Sequence, residues 1–142
     1  YPSYDEIKAH TILEVIKSLA DYVVVDCTSS LDNPLSAVAI KESNEVIRLA
    51  APTLKCMSFF SSQLPLYADP AFYFDRQIVG LNCTEADCYM PLEESKNFLK
   101  EVSFTLPYSH EIRQQTVDGE LIKNVADKKY AVKFKAIADK VV

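Results

Sequence analysis

Glycine is scarce in this sequence. Its 142 residues include only two glycines, Gly80 and Gly119, whereas average usage would give about ten. A loop that surrounds an anion with backbone N–H groups needs several glycines close together. We therefore expect no glycine-rich phosphate loop within this chain.

The sequence also has no excess of positive charge and no long apolar run. The formal net charge is -5 and the pI is near 5.0, which argues against a whole-domain electrostatic grip on nucleic acid. No apolar run approaches the roughly 18 residues that a membrane-spanning helix needs, and no basic segment followed by an apolar block opens the chain. These features predict a cytoplasmic protein without a transmembrane segment.

Cysteine and histidine form no recognisable metal-binding or catalytic pattern. The stretch "CTEADC" separates Cys83 from Cys88, but no second ligand pair follows at a spacing typical of zinc sites. No Ser/His/Asp or Cys/His arrangement is recognisable either. We expect reduced thiols at all four cysteines, which are Cys27, Cys56, Cys83 and Cys88.

The composition, 49% hydrophobic and 25% charged, is that of a globular chain, and the length suits a single domain. The sequence begins at Tyr1 rather than methionine. We therefore expect it to be a piece of a longer protein.

Apolar spacing predicts helices that alternate with strands. Ser3 and Glu6 fit a capping box, and Asn33 before Pro34 fits a helix start. Such alternation predicts an open α/β fold of three layers, a mainly parallel sheet with helices on both faces. The predicted helices are 3–19, 34–42, 53–67 with a kink or end at Pro65, 91–100, a short one within 108–119, and one within 124–142; the predicted strands are 22–27, 45–52, 77–83 and 101–107.

Polar residues at the strand ends are the candidate ligand-binding groups, because ligands of parallel sheets bind beyond the carboxyl ends of the strands. Asp26 ends an apolar run, where a carboxylate needs solvent, a donor or a cation such as Mg²⁺. Asn82 carries an amide that could read a nucleobase edge. The alternatives are an acid that faces water at Asp26 and a turn-forming asparagine at Asn82.

The C-terminal helix carries a lysine face opposite an apolar stripe. That pattern suits a helix docked on the sheet with solvated lysines, or a helix that touches DNA or a membrane surface, and we favour the first reading. The lysines are Lys128, Lys129, Lys133, Lys135 and Lys140.

In order along the chain, four stretches resemble the C-terminal half of the ParA/MinD family of deviant Walker-type, P-loop ATPases. They are "DYVVVDCTSSL" at 21–31, "VIRLAAPT" at 46–53, "IVGLN" at 78–82 and "FTLPYSHEIRQQTVDGELI" at 104–122. Within the family, the resemblance is closest to the TadZ-like or conjugative-element branches. It implies a P-loop NTPase-like fold that binds ATP and Mg²⁺.

The resemblance assigns roles by position. The family's magnesium-side aspartate corresponds to Asp26, which would hold Mg²⁺ through water. The segment after it is the family's switch loop, in which hydroxyl residues here replace prolines. The implied positions are Asn82, Pro107 and Tyr108 on the adenine side, and Thr28, Ser29 and Ser30 in the switch loop.

The family's glycine-rich Walker A loop has no counterpart in this sequence. In the family, the strand that carries it lies between the counterparts of the predicted strands 22–27 and 45–52. The resemblance therefore implies that residues 1–142 are a single α/β domain that forms the C-terminal portion of a longer ATPase domain. No ATP hydrolysis is expected from this chain alone.

The implied function is ATP-dependent homodimerisation that positions or partitions a plasmid, secretion or conjugation apparatus. A protein cargo or adaptor, and DNA more weakly, are the implied partners, in a bacterial cytoplasm with recruitment to the pole, nucleoid or membrane. One alternative is a non-hydrolysing localisation or interaction module on the same fold. Another is a synthetase or reductase on this scaffold, but the cysteines do not match the cluster-binding motifs that such a reductase needs.

Overall fold

The computed structural model describes residues 5–73, 77–84, 90–99, 101–120 and 122–141. Three strands alternate with helices between residues 34 and 118, which confirms the predicted open α/β fold. The helices are α1 (Glu6–Lys17), α2 (Pro34–Glu42), α3 (Leu54–Gln63), α4 (Leu92–Leu99), α5 (His110–Asp118) and α6 (Lys128–Val141), with short 3₁₀ turns at Leu66–Ala68 and Pro70–Phe72. The strands are β1 (Ile47–Ala50), β2 (Ile78–Thr84) and β3 (Phe104–Pro107).

The helix starts follow from side-chain caps. Asn33 Oδ1 accepts hydrogen bonds from the backbone N–H groups of Leu35 (3.0 Å) and Ser36 (3.2 Å), and Pro34 occupies the first turn. Both features confirm the prediction for α2. In α1 the cap is Asp5, which accepts from Lys8 N at 2.8 Å. The predicted cap at Ser3 lies outside the described residues.

The three strands form a parallel sheet in the order β1-β2-β3. Gly80 of β2 pairs with Phe104 of β3, and a Cβ atom at Gly80 would lie 2.2 Å from the Phe104 ring. Glycine is therefore required here by the close approach of an aromatic ring to the backbone. Because all strands run the same way, their carboxyl ends lie at one edge of the sheet.

Residues 22–27 form no strand, so this prediction is wrong. Val24 is 95% exposed and Tyr22 is 69% exposed. A β-branched run becomes a buried strand only when neighbouring strands satisfy its backbone groups. No described strand pairs with it, and β1 pairs with β2 alone within the described part of the chain.

The chain divides into two compact units, each with its own core. The first comprises residues 1–46 and 65–76, and the second comprises residues 47–64 and 77–142. In the first, α1 packs on α2. Its buried apolar residues are Ala9, Leu13, Ala37, Val38, Ala39, Ile40 and Phe72.

The second unit contains the sheet and α3 to α6. Helices α3 and α4 pack on each other, while α6 packs on β3. The lysines of α6 are exposed, which agrees with the prediction of a helix docked on the sheet. The main buried cluster consists of Ala50, Met57, Leu81 and Met90. None of the described helices has the length and apolar character to cross a membrane.

Candidate functional site

The carboxyl ends of β2 and β3 are joined by hydrogen bonds beyond the regular sheet. Thr84 Oγ1 donates to the carbonyl oxygen of Leu106 at 3.0 Å, and Tyr108 N donates to the carbonyl oxygen of Thr84 at 3.2 Å. Thr84 also pairs with Pro107 in the parallel register. The predicted adenine-side residues Asn82, Pro107 and Tyr108 thus lie at the ends of two paired strands.

Asn82 begins an irregular end of β2. Its Oδ1 accepts from Cys83 N at 2.9 Å, so the side chain bonds the adjacent backbone while Asn82 itself lies within β2. The Asn82 amide Nδ2 is therefore the part of the side chain that could donate to a ligand. Cys83 has a φ of 56°, a left-handed conformation that is uncommon outside glycine and is often found at functional sites.

Tyr108 is held by two side chains near the start of α5. Its hydroxyl accepts from Arg113 Nη1 at 3.0 Å, and its ring meets the His110 ring edge-on with centroids 4.8 Å apart. The buried Ser109 between them caps α5 by accepting from Ile112 N at 3.4 Å. These contacts fix the position of an aromatic ring beside the strand ends, where a base could stack.

Helix α6 begins against the same region. Glu111 of α5 accepts from Ala126 N at 2.7 Å and from Asp127 N at 2.6 Å. Asp127 in turn accepts from Tyr130 N at 3.1 Å. This backbone hydrogen bond, followed by one to the Ser109 side chain, lowers the pKa of the Asp127 carboxyl.

In the first unit, the segment after Asp26 is tied to the start of α2. Thr28 N donates to Ser36 Oγ at 3.1 Å, and the two hydroxyls lie 3.1 Å apart. Ser30 is bonded to its neighbours, since its carbonyl accepts from Thr28 Oγ1 at 3.1 Å and its hydroxyl donates to Asp32 Oδ2 at 3.2 Å. These hydroxyl residues therefore constrain the loop by hydrogen bonds.

Ser36 holds the loop after Asp26 through its hydrogen bonds to Thr28, a role that the sequence patterns did not predict. The available signal was its position three residues after the Asn33 cap, in the first turn of a helix that follows the candidate loop. Burial raises the pKa of the adjacent Cys27 thiol, although its hydrogen bond with Ser36 acts in the opposite direction. Burial thus favours the protonated form of the Cys27 thiol beside this loop.

The candidate residues fall into two groups. Asp26, Thr28, Ser29 and Ser30 belong to the first unit, and Asn82, Pro107 and Tyr108 belong to the second. Asp26 is exposed, and its carboxylate and the neighbouring hydroxyls are hard oxygen donors of the kind that suits a hydrated Mg²⁺ ion.

No family model and no curated protein matches the sequence. Among solved structures, the fold is similar to the crystal structure of a ParA family ATPase from Chlorobium tepidum, with a TM-score of 0.73 and 17% sequence identity. The match covers 92% of this chain and 55% of that chain. The present chain therefore spans about half the length of that protein, and the likeness confirms a ParA-like, P-loop NTPase-like fold.

Proposed function

We propose that this chain is the C-terminal portion of a ParA/MinD-like ATPase, which binds ATP with Mg²⁺ and dimerises to position or partition a cargo. The observation that carries the proposal is the likeness to a ParA family ATPase over 92% of this chain. The four sequence stretches that resemble the family, in the family's order, support it independently. A TadZ-like or conjugative-element role is the finer form of this proposal.

In this proposal the residues at the carboxyl ends of β2 and β3 form the adenine side. Asn82 Nδ2 donates to the base, while Pro107 and Tyr108 form the loop beside it. The hydrogen bond from Arg113 and the edge contact with His110 hold the Tyr108 ring, so that little ordering is needed when the base binds.

The magnesium side is assigned to Asp26 and the segment that follows it. Asp26 would hold Mg²⁺ through water and sense the terminal phosphate, and Thr28, Ser29 and Ser30 would form the switch segment after it. Mg²⁺, when bound, neutralises charge on the phosphates. In this proposal a glycine-rich segment outside these 142 residues binds the phosphates. ATP hydrolysis therefore requires that segment.

The proposed partners are a second copy of the protein and a protein cargo or adaptor, with DNA as a weaker candidate. The proposed location is a bacterial cytoplasm, with recruitment to the pole, nucleoid or membrane.

Binding of a fluorescent ATP analogue to the full-length protein, with and without Mg²⁺, tests the proposal. We expect Asp26→Ala to weaken the Mg²⁺-dependent part of the affinity by about tenfold, because one charge-assisted contact is lost. Asn82→Ala should weaken binding with or without Mg²⁺. Asp21→Ala is the matched control, since Asp21 is an exposed acid of the same segment. Absence of nucleotide binding, or equal losses in Asp21→Ala and Asp26→Ala, would refute the assignment.

A second candidate is a localisation or interaction module that binds nucleotide without turnover. The hydrogen bonds that tie Thr28 to Ser36 favour it, because a loop anchored in one conformation responds less to the loss of a phosphate. Nucleotide binding without phosphate release by the full-length protein would distinguish this candidate from the ATPase.

A further inference from the structure

Three metal-ligating side chains converge on the exposed side of the α1–α2 pair. His10 and Glu14 lie one turn apart on α1, and Glu42 is the last residue of α2. His10 Nδ1 lies 2.6 Å from Glu42 Oε1. The ligand atoms of all three side chains lie within 4.8 Å of one another.

The backbone beneath this cluster is fixed by packing. Ala9, which precedes His10, and Leu13, which precedes Glu14, are buried against Val38 and Ala39 of α2. A spacing of four residues places His10 and Glu14 on the same helix face. The three ligands are therefore presented by two helices with a shared core and not by a mobile loop.

The ammonium group of Lys17 lies between the two carboxylates of this cluster. Lys17 Nζ lies 2.7 Å from Glu14 Oε1 and 3.3 Å from Glu42 Oε2. The pKa of Lys17 is raised by its hydrogen bonds to Glu14 and Glu42, and that of Glu42 is lowered, chiefly by its hydrogen bond with His10. The side chain of Lys17 is 45% exposed, so its ammonium group can turn into solvent when another cation takes its place.

We propose that His10, Glu14 and Glu42 bind a divalent transition-metal ion of the zinc class, which clasps α1 to α2. One imidazole nitrogen and two carboxylates suit Zn²⁺, Ni²⁺ or Co²⁺ better than Mg²⁺ or Ca²⁺, which prefer oxygen ligands alone. Three protein ligands with further positions open to water are a known arrangement for Zn²⁺.

Binding of Zn²⁺ requires small side-chain movements of its ligands and the departure of the Lys17 ammonium group from the two carboxylates. Zinc bonds of about 2.0–2.2 Å place ligand atoms roughly 3–3.5 Å apart. His10 Nδ1 and Glu42 Oε1, now 2.6 Å apart, therefore separate slightly, and Glu14, whose side chain is 53% exposed, is free to adjust its rotamer. The imidazole binds as the neutral ring with Nδ1 unprotonated, so any proton on Nδ1 passes to Nε2 or to solvent. Lys17 keeps its proton and leaves the carboxylates.

Zn²⁺ titration of the chain by calorimetry, together with thermal unfolding, tests the proposed metal site. We expect one Zn²⁺ ion per chain and a higher Tm in its presence, because an ion that binds only the folded state stabilises it. His10→Ala and Glu42→Gln should each weaken binding by at least about tenfold and abolish the rise in Tm. The Co²⁺ complex should lack the intense sulfur-to-cobalt absorption that cysteine ligands would produce.

Two variants serve as matched controls. Glu6→Gln removes another ion pair between the same helices, that of Glu6 with Lys41 at 3.5 Å, but removes no ligand. His110→Ala removes the other histidine of the chain. Both should bind Zn²⁺ like the unmodified chain. If His10→Ala fails to fold, Glu14→Gln takes its place, because Glu14 is exposed and its loss disturbs no core residue.

Three outcomes would overturn the proposal: no Zn²⁺ binding, undiminished binding in the ligand variants, or a cobalt spectrum typical of cysteine. The test uses no nucleotide. Its failure therefore leaves the proposed ATPase function untouched, and failure of the nucleotide assay leaves the metal site untouched.

Discussion

At the scale of single residues, two buried serines have opposite environments. Ser95 of α4 is fully buried, and its hydroxyl has no hydrogen-bond partner within the described ranges. Ser109 is also buried, but its hydroxyl caps α5. A buried hydroxyl without a partner carries an uncompensated desolvation cost, so the same side chain should destabilise one helix and stabilise the other.

We expect Ser95→Ala to raise the free energy of unfolding by about 1 kcal/mol, because it removes that hydroxyl and alanine also favours a helix. Ser109→Ala, the matched control, should lower the free energy of unfolding by about 1 kcal/mol through loss of the cap. Urea denaturation followed by circular dichroism measures both values. A loss of stability in Ser95→Ala would contradict the environment described for Ser95.

At the scale of elements, one carboxylate connects α5 to the start of α6. Glu111 accepts from two consecutive backbone N–H groups, those of Ala126 and Asp127. Hydrogen bonds to an ionised acceptor are stronger than neutral ones. Glu111 thereby positions the first turn of α6, in which Asp127 accepts from Tyr130 N.

Glu111→Ala should therefore lower the free energy of unfolding by about 2 kcal/mol and should speed hydrogen exchange at the amides of Ala126 and Asp127. Both effects are measurable by denaturation and by exchange followed with NMR. Glu120→Ala is the control, because Glu120 forms an ion pair with the exposed Lys123 three residues on, and such a pair contributes less than about 1 kcal/mol. Unchanged exchange at both amides would show that the two contacts are dispensable.

At the scale of the whole molecule, apolar and unpaired backbone surface remains exposed. Residues 22–25 are exposed, and β1, which pairs with β2 alone among the described strands, also exposes Ile47 and Leu49. Exposed β-branched runs and open strand edges favour association between chains. We expect this chain to self-associate at high concentration through such surfaces.

Val24→Lys should reduce that association, as measured by static light scattering, and should change the free energy of unfolding by less than about 0.5 kcal/mol, because Val24 is 95% exposed. Val38→Lys provides the contrast, since Val38 is buried in the first unit and a charge there should prevent folding. If Val24→Lys unfolded the chain as Val38→Lys does, residues 22–27 would be buried in the folded protein.

The candidate residues differ in how far local patterns could predict them. The position of Asn82 and Pro107 at strand ends followed from the apolar runs before them and from the parallel sheet that alternating elements imply. The bond between Thr28 and Ser36 could not be predicted in this way, because it depends on how the loop meets α2. The convergence of Glu42 with His10 likewise needed the packing of two helices, although the spacing of His10 and Glu14 was visible in the sequence.

The amino-acid sequence by itself determined the start of α2 and the alternation of helices and strands after it. The cap at Asn33 and the apolar spacing act within a few residues, so their outcome depends little on the rest of the chain. Only the tertiary structure decided that residues 22–27 form no strand and that Gly80 lies against Phe104. Strand pairing and ring packing join groups that are distant in sequence, and a β-branched run forms a strand only where another strand satisfies its backbone.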